Sequence, residues 1–137
     1  REVKKPILLV NSDFITPKKL LIAYNGSEKS KNFLIERSKN PIFKNIIRDI
    51  INVNNDKTLS KKLLDEAKEI YAKQEIYVET NVLSGDVKSE ILIHLGQNDC
   101  DILAMGAFGH SRIKEFIFGS LTSEILDYCK KPILLFK

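Results

Sequence analysis

Apolar runs alternate with segments of helical period along this chain. Continuous apolar stretches at residues 20–24, 102–105 and 132–136 are typical of buried parallel strands, and residues 46–53 are predicted to form another strand. One further strand is predicted by the every-second-residue pattern of Ile76, Val78, Thr80 and Val82. The pattern therefore predicts a sheet whose strands are separated by helices.

Four helices are predicted between these strands. Ser27 is a candidate N-cap for a helix that ends near Lys39, since Pro41 disfavours a helical residue before it. The clearest helix covers residues 58–73, with an apolar face formed by Leu59, Leu63, Ala67, Ile70 and Tyr71. A third begins after Gly85-Asp86 and ends at Gly96, and its buried stripe is Val87, Ile91 and Leu95. Residues 121–129 form the fourth. This alternation predicts an α/β fold: a five-stranded parallel sheet with helices on both faces.

Composition narrows the class of protein. The chain has 137 residues, of which 43% are hydrophobic and 29% charged, as expected for one globular domain. No apolar run approaches the ~20 residues of a membrane span, and the chain does not open on a signal-peptide pattern, so we expect a cytoplasmic protein without a membrane partner. The net charge is +4, but the lysines are scattered, so no nucleic-acid partner is expected.

The remaining chemistry-bearing side chains show no catalytic constellation. Cys100 and Cys129 are far apart and are expected to be small buried hydrophobes. His94 is a lone imidazole on a predicted helix, for which a surface or half-buried position is expected. No set of carboxylates, nucleophiles or metal ligands has a spacing that predicts convergence, so at most slow hydrolysis of a bound nucleotide is expected.

A loop rich in glycine follows the strand at residues 102–105. It contains Gly106 and Gly109, and it ends at Gly119-Ser120, where the last helix begins. Glycines let backbone N–H groups approach an anion, and a helix N-terminus directs free N–H groups and its dipole at the same point. The loop is therefore a candidate phosphate site, although the P-loop motif G-x-x-x-x-G-K-[ST] is absent from the sequence.

The glycine spacing, G-2x-G-9x-G-S, resembles the ATP-binding motif of the universal stress protein family. With the preceding strand, the following helix and the last strand, the resemblance covers residues 18–137. It implies a Rossmann-like sheet of the adenine nucleotide alpha hydrolase type, in the strand order 3-2-1-4-5. Strands 1 and 4 flank the switch point of that order, where ligands bind outside the carboxyl ends.

The resemblance also implies a cofactor, ATP, with Mg or Mn held mainly by the phosphates. The implied cofactor-binding residues are Asn25, Asn52, Gly106, Gly109, His110, Gly119, Ser120, Leu121 and Thr122.

Each part of the nucleotide has a candidate contact among them. Gly109, Gly119, Ser120 and the backbone after it would hold the phosphates, Thr122 would add a donor, and Gly106 would pass close to the ribose. Asn52 or Val53 would line the adenine pocket. His110 could screen phosphate charge or simply be solvated.

Asn25 is a departure from the family pattern. It stands where the family usually carries Asp, and its amide lacks the charge-assisted strength of a carboxylate.

A repeat near the two ends of the chain predicts a tandem protein. Residues 4–9 (KKPILL) recur at residues 130–135, an offset of 130 − 4 = 126 residues, the length of one domain. We therefore interpret residues 1–10 as the last strand of a preceding domain, 11–17 as a linker, and 18–137 as the C-terminal domain of a tandem member. The family resemblance implies that the edge strand of one domain pairs antiparallel with its counterpart in another, so the first segment is expected to pair antiparallel with residues 133–136 at the strand-5 edge, within one chain or between two.

Three function classes remain open. The first is a nucleotide-dependent stress-response regulator that also contacts a second such domain, in tandem or as a homodimer. The second is a dimerising adaptor of the same fold that binds no nucleotide. The third is an adenylate-handling enzyme on a related fold.

Overall fold

The computed structural model describes residues 6–10, 16–40, 45–106 and 119–136. These ranges contain six strands and four helices. In chain order they are β1 (Ile7–Leu9), β2 (Lys19–Ala23), α1 (Glu28–Ser38), β3 (Ile47–Val53), α2 (Lys57–Ala72), β4 (Glu79–Leu83), α3 (Val87–Gln97), β5 (Ile102–Gly106), α4 (Ser120–Tyr128) and β6 (Ile133–Phe136).

All six strands belong to one sheet in the order β1-β6-β5-β2-β3-β4. From β6 to β4 every neighbouring pair is parallel, and β1 is antiparallel to β6. The predicted α/β architecture with a parallel sheet is confirmed. The sheet itself is six-stranded and mixed, because the N-terminal segment extends the predicted five strands.

The N-terminal strand pairs within its own chain. Ile7 lies opposite Leu135, and Leu9 lies opposite Ile133, in the antiparallel sense that was predicted. Without β1, the apolar strand β6 would present an unpaired edge. The pairing therefore covers the edge on which the sequence analysis placed an association surface.

Two apolar cores lie on opposite faces of the sheet, because successive strand side chains point to opposite sides. Leu20 and Ile22 of β2 belong to the core under α1 and α2, whereas Leu21 belongs to the core under α3. Within the first core, Phe33 of α1 stacks on Phe136 of β6 with ring centroids 4.2 Å apart.

The helix starts follow the predicted caps. Ser27 caps α1 by accepting from Ser30 N–H, and Asp86 caps α3 by accepting from Ser89 N–H. The N-cap of α2 is Asp56, which accepts from Leu59 N–H. Each cap satisfies one of the backbone donors that a helix start leaves free.

Three details differ from the sequence predictions. Helix α3 runs through Gly96 to Gln97, and the chain reverses at Asp99 with a φ of 52°. Strand β4 begins at Glu79 instead of residue 76. Val87 is 37% exposed, because it opens onto a cavity described below.

The predicted apolar stripe of α2 faces the core except at its first residue. Ala67 and Tyr71 are buried, and Leu63 and Ile70 pack against the core, whereas Leu59 is 41% exposed. At the start of the helix the buried residue is Ser60, whose hydroxyl donates to the side-chain oxygen of Asn52. A polar tertiary contact thus replaces an apolar one at this end of the helix.

Candidate functional site

A cavity of about 220 Å³ lies at the carboxyl ends of β2 and β3. It is larger than an apolar cavity of ~150 Å³ that accommodates a benzene ring. Most of its surface is apolar. The lining residues are Ala23, Tyr24, Asn25, Ile51, Asn52, Val53, Val87, Ile91 and Leu121.

The cavity lies at the predicted switch point. Strand β2 pairs with β3 on one side and β5 on the other, so the chain reverses its direction across the sheet there. Leu121, in the first turn of α4, brings the start of that helix to the cavity. The ends of β2 and β3 and the start of α4 therefore meet at one place, as the sequence predicted for Asn25, Asn52 and Leu121.

Asn25 begins a tight turn between β2 and α1. Its side-chain oxygen accepts from Ser27 N–H at 3.0 Å and from the Ser30 hydroxyl at 2.9 Å. Gly26 follows with a φ of 78°, a value that favours glycine, and an added Cβ would lie 2.5 Å from Leu63 Cδ2. The oxygen of Asn25 is therefore committed to the turn, and the rest of this exposed side chain is what it can offer a ligand.

Asn52 holds the end of β2 against α2. Its side-chain amide donates to the Tyr24 carbonyl at 2.8 Å, and its side-chain oxygen accepts from the Ser60 hydroxyl. The residue is only 6% exposed, so both partners are satisfied inside the protein. Asn52 lines the cavity as predicted, but its hydrogen bonds shape the wall.

Tyr24 forms part of the same wall. Its hydroxyl donates to Glu66 Oε1 at 3.0 Å, and Lys31 Nζ lies 3.1 Å from the same oxygen. Burial, and then the neighbouring Glu66, raise the pKa of the Tyr24 hydroxyl above its ordinary value. The group is therefore a neutral structural donor at physiological pH.

Helix α4 begins after a glycine N-cap. Gly119 is the N-cap with φ −64° and ψ 166°, and it supplies no side-chain cap bond. Its φ is negative, so this backbone conformation is open to other residues as well. Ser120 is exposed, whereas Thr122 is fully buried, so a phosphate reaches the Thr122 hydroxyl only if the residues around it move.

The remaining predicted residues divide into two groups. Gly106 is the last residue of β5, buried and paired with Phe136, so it ends the strand at the expected edge. Gly109 and His110 lie outside the described residues.

A buried polar network that the sequence analysis missed lies at the opposite, amino-terminal edge of the sheet. His94 Nε2 is 2.7 Å from Asp49 Oδ2, and Asn81 donates to Asp49 Oδ1 at 2.9 Å. Asp49 is fully buried and His94 is 8% exposed. The expected surface or half-buried position of His94 is therefore wrong.

Asp49 is the residue from which the sequence could have predicted this network. It interrupts the apolar run of residues 46–53, and a carboxylate inside a buried strand requires partners. Its partners come from residues 81 and 94, whose contact with β3 only the folded chain establishes.

The cysteines match the expectation for buried hydrophobes in part. Cys100 is fully buried, and burial raises the pKa of its thiol from 9.0 to about 11. Cys129 is half-buried, and burial also raises the pKa of its thiol.

The described ranges also bear on metal binding and on membrane insertion. Within residues 6–10, 16–40, 45–106 and 119–136, no three His, Cys, Asp or Glu side chains are grouped so as to hold a metal ion. None of the helices in that part of the chain is long and apolar enough to cross a membrane.

Comparison with known proteins gives the family. The sequence pattern of the Universal stress protein family matches residues 51–137. Universal stress protein Slr1230 from Synechocystis is 30% identical over 139 residues, covering 100% of this chain and 48% of that protein. The chain therefore belongs to the universal stress protein family. It spans about half the length of the curated relatives that it matches.

Solved structures share the fold. A universal stress protein from Archaeoglobus fulgidus DSM 4304 has a TM-score of 0.76 and 20% identity, covering 98% of this chain and 50% of that one. A universal stress protein in complex with cAMP has a TM-score of 0.71 and 17% identity, covering 87% and 95%. A universal stress protein from Archaeoglobus fulgidus in complex with dAMP has a TM-score of 0.67 and 14% identity, covering 90% of this chain and 100% of that one.

Proposed function

We propose that this chain is an ATP-binding universal stress protein domain that acts as a nucleotide-dependent regulator of a stress response. The observation that carries the proposal is the cavity that joins the ends of β2 and β3 to the first turn of α4. Two structural neighbours are described as complexes with cAMP and dAMP, which favours an adenine nucleotide as the ligand.

The adenine ring fits the apolar part of the cavity. Ile51, Val53 and Leu121 offer aliphatic surface to a planar base, and their burial by the base is favourable. The wall behind them is fixed by the bonds of Asn52 to Tyr24 and Ser60. A fixed wall limits the ordering cost of binding.

The phosphates extend from the cavity to the start of α4. The backbone N–H groups after Gly119 have no side-chain cap to satisfy them, and the helix dipole favours an anion at this point. The exposed Ser120 hydroxyl adds a donor, and Gly109 and His110 complete the predicted phosphate loop. Mg or Mn is held mainly by the phosphates, in keeping with the usual role of such ions in nucleotide sites.

The ribose lies between Asn25 and Gly106 in this arrangement. Because the Asn25 side-chain oxygen already accepts two hydrogen bonds, its amide N–H groups are what it offers to a ribose oxygen. This contact lacks the charge of a carboxylate, so the affinity is expected to be modest.

We also propose that β1 derives from a preceding domain of the same family. Support comes from the repeat of residues 4–9 at 130–135 and from the antiparallel pairing of β1 with β6. In this proposal the edge of β6 is the surface through which two such domains associate.

The test of the nucleotide site uses two variants of Gly119 that differ only in charge. Asp and Asn at this N-cap both suit its extended backbone, but only Asp adds a carboxylate beside the phosphates. At ~100 times its dissociation constant, Mg-ATP should stabilise the native chain by ~2.7 kcal/mol, a rise of several degrees in Tm. The rise should be reduced in Gly119→Asn, whose side chain caps the same N–H groups, and should largely vanish in Gly119→Asp, whose carboxylate also repels the phosphates.

The outcomes separate the function classes. No rise in the native chain contradicts the nucleotide proposal and favours the adaptor of the same fold. An equal rise in both variants places the phosphates away from α4. Multiple turnover of ATP well above a slow background would favour the enzyme class instead.

A further inference from the structure

Asn25-Gly26 is the only Asn-Gly dipeptide in the chain. In such a pair the backbone nitrogen of the second residue can attack the side-chain carboxamide carbon of the first, because glycine has no side chain to hinder the approach. The product is a five-membered succinimide ring. Whether the reaction is fast depends on the geometry and the hydrogen bonds of the turn.

The turn holds the Asn25 carboxamide in an activating environment. Its oxygen accepts from Ser27 N–H at 3.0 Å and from the Ser30 hydroxyl at 2.9 Å. Attack at the carboxamide carbon places negative charge on this same oxygen. The Ser27 N–H is fixed in advance at the developing oxyanion, and the Ser30 hydroxyl, which also lies 2.9 Å from the Ser27 carbonyl, can turn its one proton towards it. Such donors stabilise the transition state, as they do in acyl-transfer enzymes.

The attacking group is available in the same turn. Among the described residues, no hydrogen bond is recorded from Gly26 N–H, whereas the amide groups on either side of the Asn25-Gly26 pair donate to Ile51 and to Asn25 itself. The bond from Ser27 N–H folds the Asn25 side chain back over the backbone that leads to Gly26. Asn25 is exposed, so water reaches the ring that forms.

We propose that Asn25 is a site of spontaneous deamidation that converts it to a carboxylate in the folded protein. The Gly26 nitrogen forms a bond to the Asn25 carboxamide carbon, the carbon–NH2 bond breaks, and ammonia leaves with the proton of the Gly26 amide. Water then opens the succinimide at either carbonyl, giving aspartate or isoaspartate. The net reaction consumes one water and releases one ammonia, without an enzyme or an oxidant.

The fold favours the aspartate product. A carboxylate accepts from Ser27 N–H and the Ser30 hydroxyl more strongly than an amide oxygen does. It also lies just before the N-terminus of α1, where the helix dipole stabilises negative charge. Isoaspartate would lengthen the backbone by one carbon in a turn already constrained by Gly26 and Leu63.

The conversion changes what the cavity offers to a ligand. An amide N–H donor is replaced by a carboxylate oxygen, which accepts from a hydroxyl group. This consequence alone rests on the proposed nucleotide site, where it predicts that Asn25→Asp binds Mg-ATP several-fold more tightly than the native chain. The deamidation itself is tested without nucleotide.

The experiment follows residue 25 by peptide mass spectrometry while the native chain is incubated at mildly alkaline pH. The same chain kept unfolded in urea has the dipeptide but lacks the turn. We expect the acidic form of residue 25 to accumulate at least as fast in the folded chain as in the unfolded one. It should also accumulate several-fold faster than the acidic form of Asn98, which precedes Asp99.

Two variants test the mechanism. Ser30→Ala removes one donor to the Asn25 oxygen and should slow the folded-state reaction several-fold without changing the unfolded-state rate. Asn25→Gln should yield no acidic form at residue 25, because its longer side chain disfavours ring closure. A folded-state rate well below the unfolded-state rate would show that the turn protects Asn25, and would overturn the proposal.

Discussion

The two ends of the sheet bury polar side chains in different ways. At the amino end, Asp49 is fully buried and its two oxygens are matched by His94 and Asn81. At the carboxyl end, Asn52 is also satisfied internally, but it borders a cavity of about 220 Å³ with an apolar lining. The surroundings of Asp49 are filled by its own partners, whereas Asn52 borders an apolar space.

This difference separates a stabilising polar network from a binding site. A buried carboxylate whose oxygens both have hydrogen-bond partners stabilises the folded state, because removing a partner would leave it unsatisfied. It offers no free atom to a ligand. An apolar space beside an open helix N-terminus offers both surface and donors. We therefore expect changes at the amino end to affect stability alone, and changes at the carboxyl end to affect ligand binding as well.

The largest effect is expected from His94→Ala. This change leaves the Asp49 carboxylate buried with Asn81 as its recorded partner, and removing one member of a buried pair typically costs about 3–5 kcal/mol. Urea denaturation should show this loss in the free energy of unfolding. Mg-ATP affinity of the remaining folded protein should not change.

Lys61→Ala is the matched control for that prediction. Lys61 pairs with Asp65 on the exposed face of α2, with side-chain exposures of 76% and 63%. Loss of such a pair should change the free energy of unfolding by less than about 0.5 kcal/mol. A similarly small loss in His94→Ala would show that the amino-end network is not a stabilising element.

An intermediate effect is expected at the carboxyl end from Gly26→Ala. The added Cβ falls at a φ of 78° and 2.5 Å from Leu63, so the variant should lose roughly 1–3 kcal/mol of unfolding free energy. It should also weaken Mg-ATP binding, because the turn that carries Asn25 must shift.

Gly96→Ala is expected to change the free energy of unfolding in the opposite direction. Gly96 lies within α3, and an added Cβ there meets nothing within 4 Å. Alanine in a helix interior should therefore raise the free energy of unfolding by about 0.5–1 kcal/mol. Equal effects of the two glycine substitutions would contradict the strain assigned to the Asn25-Gly26 turn.

The smallest effect concerns thiol reactivity near the amino end. The thiolate is the reactive form, and burial raises the pKa of Cys100 to about 11, so its alkylation should be very slow at pH 8 and accelerate as the pH approaches that value. The half-buried Cys129 should react first. Peptide mapping after iodoacetamide treatment measures both rates, and equal rates at pH 8 would show that water reaches Cys100.

The raised pKa of Cys100 should also make the free energy of unfolding depend on pH. The folded state holds the Cys100 proton up to a higher pH than the unfolded state, whose thiol titrates near 9.0. Stability from this group is therefore complete below pH 9 and is lost as the pH rises from about 9 to about 11.

The amino-acid sequence by itself determined the order and type of the elements. Continuous apolar runs and helical periods are local patterns, and polar caps such as Ser27 and Asp86 act within three residues. The repeat of residues 4–9 at 130–135 marked the N-terminal segment as a further edge strand, and the family resemblance then predicted the antiparallel β1–β6 pairing. The placement of Asn25, Asn52 and Leu121 around one cavity followed from strand order.

Only the tertiary structure decided which polar groups meet. His94 is 45 residues from Asp49 along the chain, and no local pattern connects them. The Asn52–Ser60 bond places Ser60 against the sheet at the start of α2, where the apolar stripe predicted Leu59. Local sequence sets the period of an element, but its rotation and its polar partners depend on contacts between distant segments, which form only when the chain packs.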